Sequence, residues 1–265
     1  MYRLKSSKLN YLLSEWPAGV VLTSTWLKNN DYYKQLVKLY CDHGWIKSLG
    51  RGAYIRLNDE ITWSGAVKAL QSQLDMPVHV GGLTALQLYG ISQYTMIDDH
   101  NPVFYLYNSV FKKITLPVWF QQYFTNCHFE QKKLFDHSEG LSKKMVNGVE
   151  LTVAAPERAV LEVLALVPIK ITLSHAEELM EGLDRLRGQI MQQLLKTCHS
   201  IKVKRLFLYL AEKNNLACFN DLSIKDLKLG RGKRVVGRGG SYSAKWMLSL
   251  PQSDELNQQQ EEDDE

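Results

Sequence analysis

The 265-residue chain has only four cysteines, Cys41, Cys127, Cys198 and Cys218, and no two of them form a CxxC pair. That spacing offers neither a zinc-ligand set nor a disulfide framework, and it predicts free thiols in a reducing compartment. No apolar run approaches the roughly 20 residues that a membrane span requires. The basic opening MYRLKSSKLN lacks the apolar segment of a signal peptide. A cytoplasmic protein without a membrane role is expected.

Chemistry-bearing motifs are equally scarce. There is no HExxH, no Cys/His cluster and no internal repeat. Gly230-Arg231-Gly232-Lys233-Arg234 lacks the early glycine of a Walker loop and has Arg234 where that loop needs Ser or Thr. Glu150 has no lysine two residues later, so a nuclease-type carboxylate–lysine pair is missing. His79, His100, His128, His137, His175 and His199 are scattered, without evident Ser or Cys partners. Glu177, Glu178 and Glu181 share one predicted helix and read as a solvated face in preference to a Mg²⁺ site. The expectation is a protein with no catalytic residues, no metal and no cofactor.

Basic residues are abundant in the body of the chain, and acidic ones gather at its end. The tail from Gln252 carries Asp254, Glu255, Glu261, Glu262, Asp263, Asp264 and Glu265 and no Lys or Arg. Removing those seven carboxylates from the net +4 leaves +11 for the rest. The excess lies in an N-terminal group that includes Lys34, Lys38, Lys47, Arg51 and Arg56. A second group runs from Lys202 to Lys245 and includes Arg231, Lys233, Arg234 and Arg238. A basic body favours an anionic partner, either nucleic acid or an acidic protein face. The tail cannot bury itself and is expected to be disordered, serving solubility or competing for the basic surface.

The segment Leu22–Arg56 has the layout of a winged helix-turn-helix. Thr23, Ser24 and Thr25 offer caps before Trp26 and Leu27, and Asn29, Asn30 and Asp31 break the first helix and offer a cap to the next. In the second helix, Leu36, Leu39, Tyr40 and His43 share one face, with Lys34, Gln35, Lys38 and Asp42 opposite. Gly44 then ends it, and a hairpin follows with Arg51 at its tip between Gly50 and Gly52. Lys and Gln on such a helix suit phosphates and base edges, and an Arg tip suits the minor groove. The candidate DNA contacts are Lys34, Gln35, Lys38 and Arg51, supported by Tyr32, Tyr33 and Lys47. A short helix–helix–hairpin unit also serves as a protein-docking module, and that alternative stands beside DNA binding.

The fold class expected is α+β: a winged helix-turn-helix domain (residues 1–76), a larger mixed domain (77–250) and an acidic tail (251–265). Helices are predicted over residues 1–13, 61–74, 83–89, 156–167, 174–182, 184–198 and 202–214. Strands are predicted over 103–107, 116–120, 126–131, 149–153, 233–236 and 242–250, with Pro77 as a hinge. Glu157-Arg158 is expected to make local contacts at its helix start. The basic Gly-rich loop around Arg231 reads either as a plain hairpin turn or as a contact for phosphate or an acidic partner.

Four stretches carry a resemblance to a known family. They are Gly44–Tyr54, the run Val80–Gly90 (VGGLTALQLYG), Ala155–Glu162 (APERAVLE), and the long segment from Lys204 through Val235. In that order the chain resembles the AbiEi family, the antitoxin and transcriptional regulator of type IV abortive-infection toxin–antitoxin systems. The resemblance implies a winged domain that binds inverted repeats in its own operon promoter, as two or more copies, and represses it. It implies a C-terminal antitoxin domain and a nucleotidyltransferase-like toxin partner, with no stable complex required. No antitoxin residue transfers individually. Arg231, Lys233, Arg234 and Arg238 are the expected patch. The competing readings are a nucleic-acid-processing enzyme and a module that neutralises its partner by direct binding.

Overall fold

The computed structural model describes residues 2–91, 103–136, 138–237 and 239–251, with side chains from residue 8 onward. Arg238, His100, His137 and the acidic tail from residue 252 lie outside the described residues. Among the described residues the architecture is α+β, with three small or mid-sized sheets and eleven α-helices. All four cysteines are free thiols.

The N-terminal unit begins with α1 (Tyr2–Glu15), which stops at Trp16-Pro17; the Trp16 indole donates to the Val20 carbonyl at 2.6 Å. Then come β1 (Leu22–Thr23), α2 (Ser24–Asn29), α3 (Lys34–Asp42) and the hairpin of β2 (Ile46–Gly50) and β3 (Ala53–Arg56). The strands pair antiparallel in the order β1-β3-β2, with Thr23 opposite Ala53 and Ser48 opposite Tyr54. Thr23 caps α2, its hydroxyl accepting the Trp26 N–H at 3.2 Å.

Two local expectations for α3 are corrected. None of Asn29, Asn30 and Asp31 caps it. Asp31 is spent on a left-handed turn (φ 62°), and Tyr33 occupies the cap without a side-chain bond. The buried stripe is also turned by one position: Leu36, Val37 and Tyr40 enter the core, while Leu39 and His43 are exposed. The apolar run fits two neighbouring stripes, and packing of the β-branched Val37 selects the one that sequence spacing did not. Gly44 (φ 68°) closes the helix, the Trp45 N–H reaching the Tyr40 carbonyl at 2.9 Å and the Gly44 N–H that of Cys41 at 3.0 Å. That paired pattern needs a left-handed residue, which glycine supplies without a Cβ penalty.

Next, α4 (Trp63–Ser72) is capped by the Thr62 hydroxyl on the Gly65 N–H at 3.1 Å. Then β4 (Val78–Val80), α5 (Gly82–Leu88), β5 (Phe104–Asn108), α6 (Val118–Tyr123), β6 (Cys127–Glu130), β7 (Leu141–Val146) and β8 (Val149–Ala154) follow. They build a mixed sheet of order β6-β5-β4-β8-β7, parallel between β5 and β6 and between β4 and β8, antiparallel elsewhere. β5 is buried at every position, so both its faces are covered. Phe104 meets Trp63 of α4 at 5.2 Å and Phe120 of α6 at 6.2 Å, ring centre to ring centre. Tyr107 projects from the opposite face, where α5 and α7 pack.

The core is continuous across Pro77. Gln71 of α4 bridges β4 and β8 where their ladder is open. Its amide donates to the carbonyls of Val78 (3.1 Å) and Thr152 (3.0 Å), and its oxygen accepts the Thr152 N–H (2.8 Å).

The remainder comprises α7 (Pro156–Leu166), α8 (Leu173–Glu181), α9 (Gly188–Thr197), α10 (Ile201–Lys213), α11 (Ala217–Asn220), β9 (Arg234–Val235), β10 (Gly239–Ser243) and β11 (Leu248–Pro251). Two predicted strands are corrected here. Residues 116–120 enter helix α6, because Pro117 (φ −55°) starts a turn in which the Gln121 N–H bonds the Pro117 carbonyl at 3.1 Å. Residues 242–250 do not form one strand but turn between β10 and β11, with Met247 left-handed (φ 48°). β7 was not foreseen. Its signal was Asn147-Gly148, both at positive φ (47° and 77°), the two-residue turn that favours a tight hairpin. Among the described residues, no helix is long and apolar enough to cross a membrane.

Candidate nucleic-acid interface

The outward face of α3 carries Lys34, Gln35 and Lys38, all exposed, with Tyr33 half out of the surface just before them. Arg51 stands exposed at the tip of the β2–β3 hairpin. Gly50 (φ 134°) and Gly52 (φ 78°) allow the tight reversal that presents it, and the Ser24 N–H holds the Gly52 carbonyl at 2.9 Å, tying the tip to α2. Lys47 is exposed on β2. The hairpin is braced from the second half of the chain, since a Cβ on Gly50 would stand 3.4 Å from Trp119 of α6.

Tyr32 leaves this set. It is only 5% exposed, its hydroxyl donates to the Lys8 carbonyl at 3.2 Å, and its ring lies 6.4 Å from Trp26. It fastens α1 to the turn before α3 and cannot reach a ligand across that surface.

The runs Val80–Gly90 and Ala155–Glu162, distant in sequence, meet in the core. The Glu162 carboxylate accepts the Gly82 N–H at 3.0 Å and the Arg158 Nε–H at 2.9 Å, and lies 2.7 Å from His79 Nε2. His79 Nδ1 lies 2.8 Å from the Ser109 hydroxyl, and Arg158 also donates to the Glu139 carbonyl at 2.9 Å. Burial pushes the Glu162 carboxyl up, but His79 and Arg158 outweigh it and hold it below the usual carboxylate range. For His79, burial dominates the neighbouring carboxylate and lowers its pKa, so the ring is neutral. Its Nε2–H then donates to Glu162 and its Nδ1 accepts from Ser109. Burial, then Glu162, drives the Tyr107 hydroxyl well above its ordinary value.

Arg158 and Glu157 make local contacts in α7, Arg158 to Glu162 one turn on and Glu157 to its own backbone N–H, and both also reach far outside the helix. Glu157 takes the Arg187 backbone N–H at 2.8 Å and its guanidinium at 2.9 and 3.0 Å, thirty residues away in sequence. The bonds around Glu162 fasten α5, α7 and β4 together, and the Tyr107 hydroxyl beside them is buried without a hydrogen-bond partner.

The Lys204–Val235 stretch has a similar anchor. Arg205 is 1% exposed, and its guanidinium donates to the carbonyls of Leu229 (2.9 Å), Gly230 (3.1 Å), Gly232 (2.7 Å) and Met247 (3.2 Å). It thereby sets the shape of the basic loop. Arg231 and Lys233 are exposed on that loop, Lys233 lying 5.4 Å over the Tyr242 ring, while Arg234 is half-buried and bonds the carbonyls of Arg231 and Lys233. Sequence reading missed Lys132 and Lys133, which lie on a cavity wall with Arg234; their adjacency at the end of β6 was the available signal.

Two family models match the chain. Residues 5–97 match the "AbiEi antitoxin N-terminal domain" of a transcriptional regulator, and residues 105–251 match "Transcriptional regulator, AbiEi antitoxin, Type IV TA system". No curated protein matches in sequence. The chain is similar in fold to the crystal structure of the RV2827C protein from Mycobacterium tuberculosis. The TM-score is 0.59 at 11% identity, covering 92% of this chain and 89% of that one. Since the two family matches together span nearly all the described residues, the chain belongs to the AbiEi antitoxins, transcriptional regulators of type IV toxin–antitoxin systems.

Proposed function

We propose that the chain binds its own operon promoter through a winged helix-turn-helix and represses it, while its C-terminal part counters the partner toxin. In this reading α3 is the recognition helix and the β2–β3 hairpin is the wing. Lys34, Gln35 and Lys38 meet base edges and phosphates, with Tyr33 and Lys47 beside them, and Arg51 enters the adjacent groove. The observation that carries it is the exposed Lys34/Gln35/Lys38 face together with the hairpin that presents Arg51 between two glycines. Two copies would read the inverted repeats, as half-site symmetry demands.

The family implies a toxin partner. We take it to be nucleotidyltransferase-like and opposed in the cytoplasm without a stable complex. Residues 1–76 would serve DNA and residues 77–250 antitoxicity, through Arg231, Lys233, Arg234 and Arg238. No catalytic step is assigned to the chain.

The test is retention of the DNA upstream of the operon by full-length protein over a salt series. Affinity should fall steeply with salt, and Lys34→Ala/Lys38→Ala/Arg51→Ala should lower it and flatten the salt slope by about three phosphate contacts. Unchanged affinity in that variant refutes the assignment. Co-purification with the toxin at high salt would favour neutralisation by direct binding.

A further inference from the structure

Away from α3, one concave site draws basic side chains from three separate parts of the chain. Lys132 and Lys133 follow β6, His199 and Lys202 flank the start of α10, and Arg234 opens β9; all five line a cavity of about 310 Å³. Carbonyl oxygens orient three of them, Lys133, Lys202 and Arg234, without neutralising them. Lys133 donates to the Asp136 carbonyl at 3.1 Å, Lys202 to that of Val167, and Arg234 to those of Arg231 (3.2 Å) and Lys233 (3.1 Å). Among the described residues, the Asp136 carboxylate stands at 2.9 Å from His199 Nε2 and 3.9 Å from Lys133. Burial, and then the neighbouring Lys132 charge, lowers the Lys202 pKa. The positive end of the thirteen-residue α10 adds to the same field.

The rim carries an aromatic ring. Phe111 is 66% exposed, Lys133 sits 4.0 Å from its centre, and the His199 ring is 5.6 Å away. A largely exposed aromatic ring, with Lys133 over one face, beside convergent cations matches a nucleotide better than a bare anion, because a base stacks where a phosphate is held.

We propose that this cavity binds the phosphate of a nucleotide, with its base laid on Phe111. The assignment shares Arg234 with the C-terminal basic patch but does not rest on promoter binding by α3.

The experiment is calorimetric titration of full-length protein at low salt with AMP, ribose 5-phosphate and adenosine. AMP should bind saturably, ribose 5-phosphate more weakly, and adenosine weakest. Lys132→Ala/Arg234→Ala should cut AMP affinity about tenfold or more, as loss of two charge-assisted contacts demands. Phe111→Ala should cut it about fivefold, the lower end of base–aromatic stacking, and leave ribose 5-phosphate unaffected. Thermal melts establish that each variant is folded; if the double variant is not, the single change of exposed Lys132→Gln replaces it. Absence of saturable AMP binding up to millimolar concentration, or equal AMP binding by the cation variant, overturns the site. Equal affinity for AMP and ribose 5-phosphate overturns the nucleotide assignment. Promoter retention measured on Phe111→Ala should match the parent, which separates failure here from failure of the DNA reading.

Discussion

Replacing Glu162 by Gln tests whether the buried cluster holds the fold together. The carboxylate serves three donors: His79 and Arg158 at one oxygen and the Gly82 N–H at the other. Glutamine has the same shape but one acceptor oxygen. If that oxygen faces His79 and Arg158, the amide NH₂ meets the Gly82 N–H, donor against donor; if it is flipped, two donors are lost instead of one. Either way the Arg158 guanidinium, whose side chain is 3% exposed, loses its carboxylate. Breaking a buried pair by removing one partner costs about 3–5 kcal/mol. At roughly 2–4 °C per kcal/mol for a chain of this size, melting should fall by about 6–20 °C. Urea denaturation and circular dichroism read both quantities. A Glu162→Gln protein within about 1 kcal/mol of the parent would mean that water or relaxation satisfies these groups, and the structural role would be refuted.

Gly81→Ala should damage the same cluster by steric means, since the new Cβ would lie 2.2 Å from Glu162 Oε2 and 2.6 Å from Tyr107. A loss of about 1–3 kcal/mol or more in urea unfolding is expected, and a neutral effect would contradict it. Stability should fall with acidification. His79, Glu157 and Glu162 all have lowered folded-state pKa values, so the unfolded chain binds more protons in the acid range. The loss begins below the ordinary histidine value of 6.5, as unfolded His79 charges, and steepens below 4.5, where the glutamates protonate on unfolding. Melting temperatures flat from pH 7 to 4 would contradict this. Arg205→Met should leave the carbonyls of Leu229, Gly230 and Gly232 without their donor and loosen the basic loop, read as faster amide exchange over residues 229–234. Unchanged exchange there would show that the loop needs no anchor.

Much of the candidate interface was legible because its signals are local. The Thr23 cap, the left-handed Gly44 and the glycines around Arg51 each follow from backbone geometry within a few residues. Tyr32 was misjudged because nothing near it in sequence reveals Lys8, twenty-four residues earlier, as its partner. The strand expected over residues 116–120 failed for a related reason. A short apolar run suits strand or helix alike, and here Pro117 and the Phe104 face decided for helix.

The amino-acid sequence by itself determined most element types, the family and the charged surface, since periodicity, caps, turn residues and motif order are written within short windows. The tertiary structure alone decided what the charged residues inside those motifs are for. Glu157 and Arg158, expected to bond only locally, also reach Arg187 and Glu139, and Glu162 and Arg205 are buried against partners far along the chain. Lys132, far from the Lys202–Lys245 basic group in sequence, shares one cavity with its Lys202 and Arg234. Burying a charge is tolerable only with a partner, and that partner can lie anywhere along the chain, so its identity emerges only when distant segments are packed together.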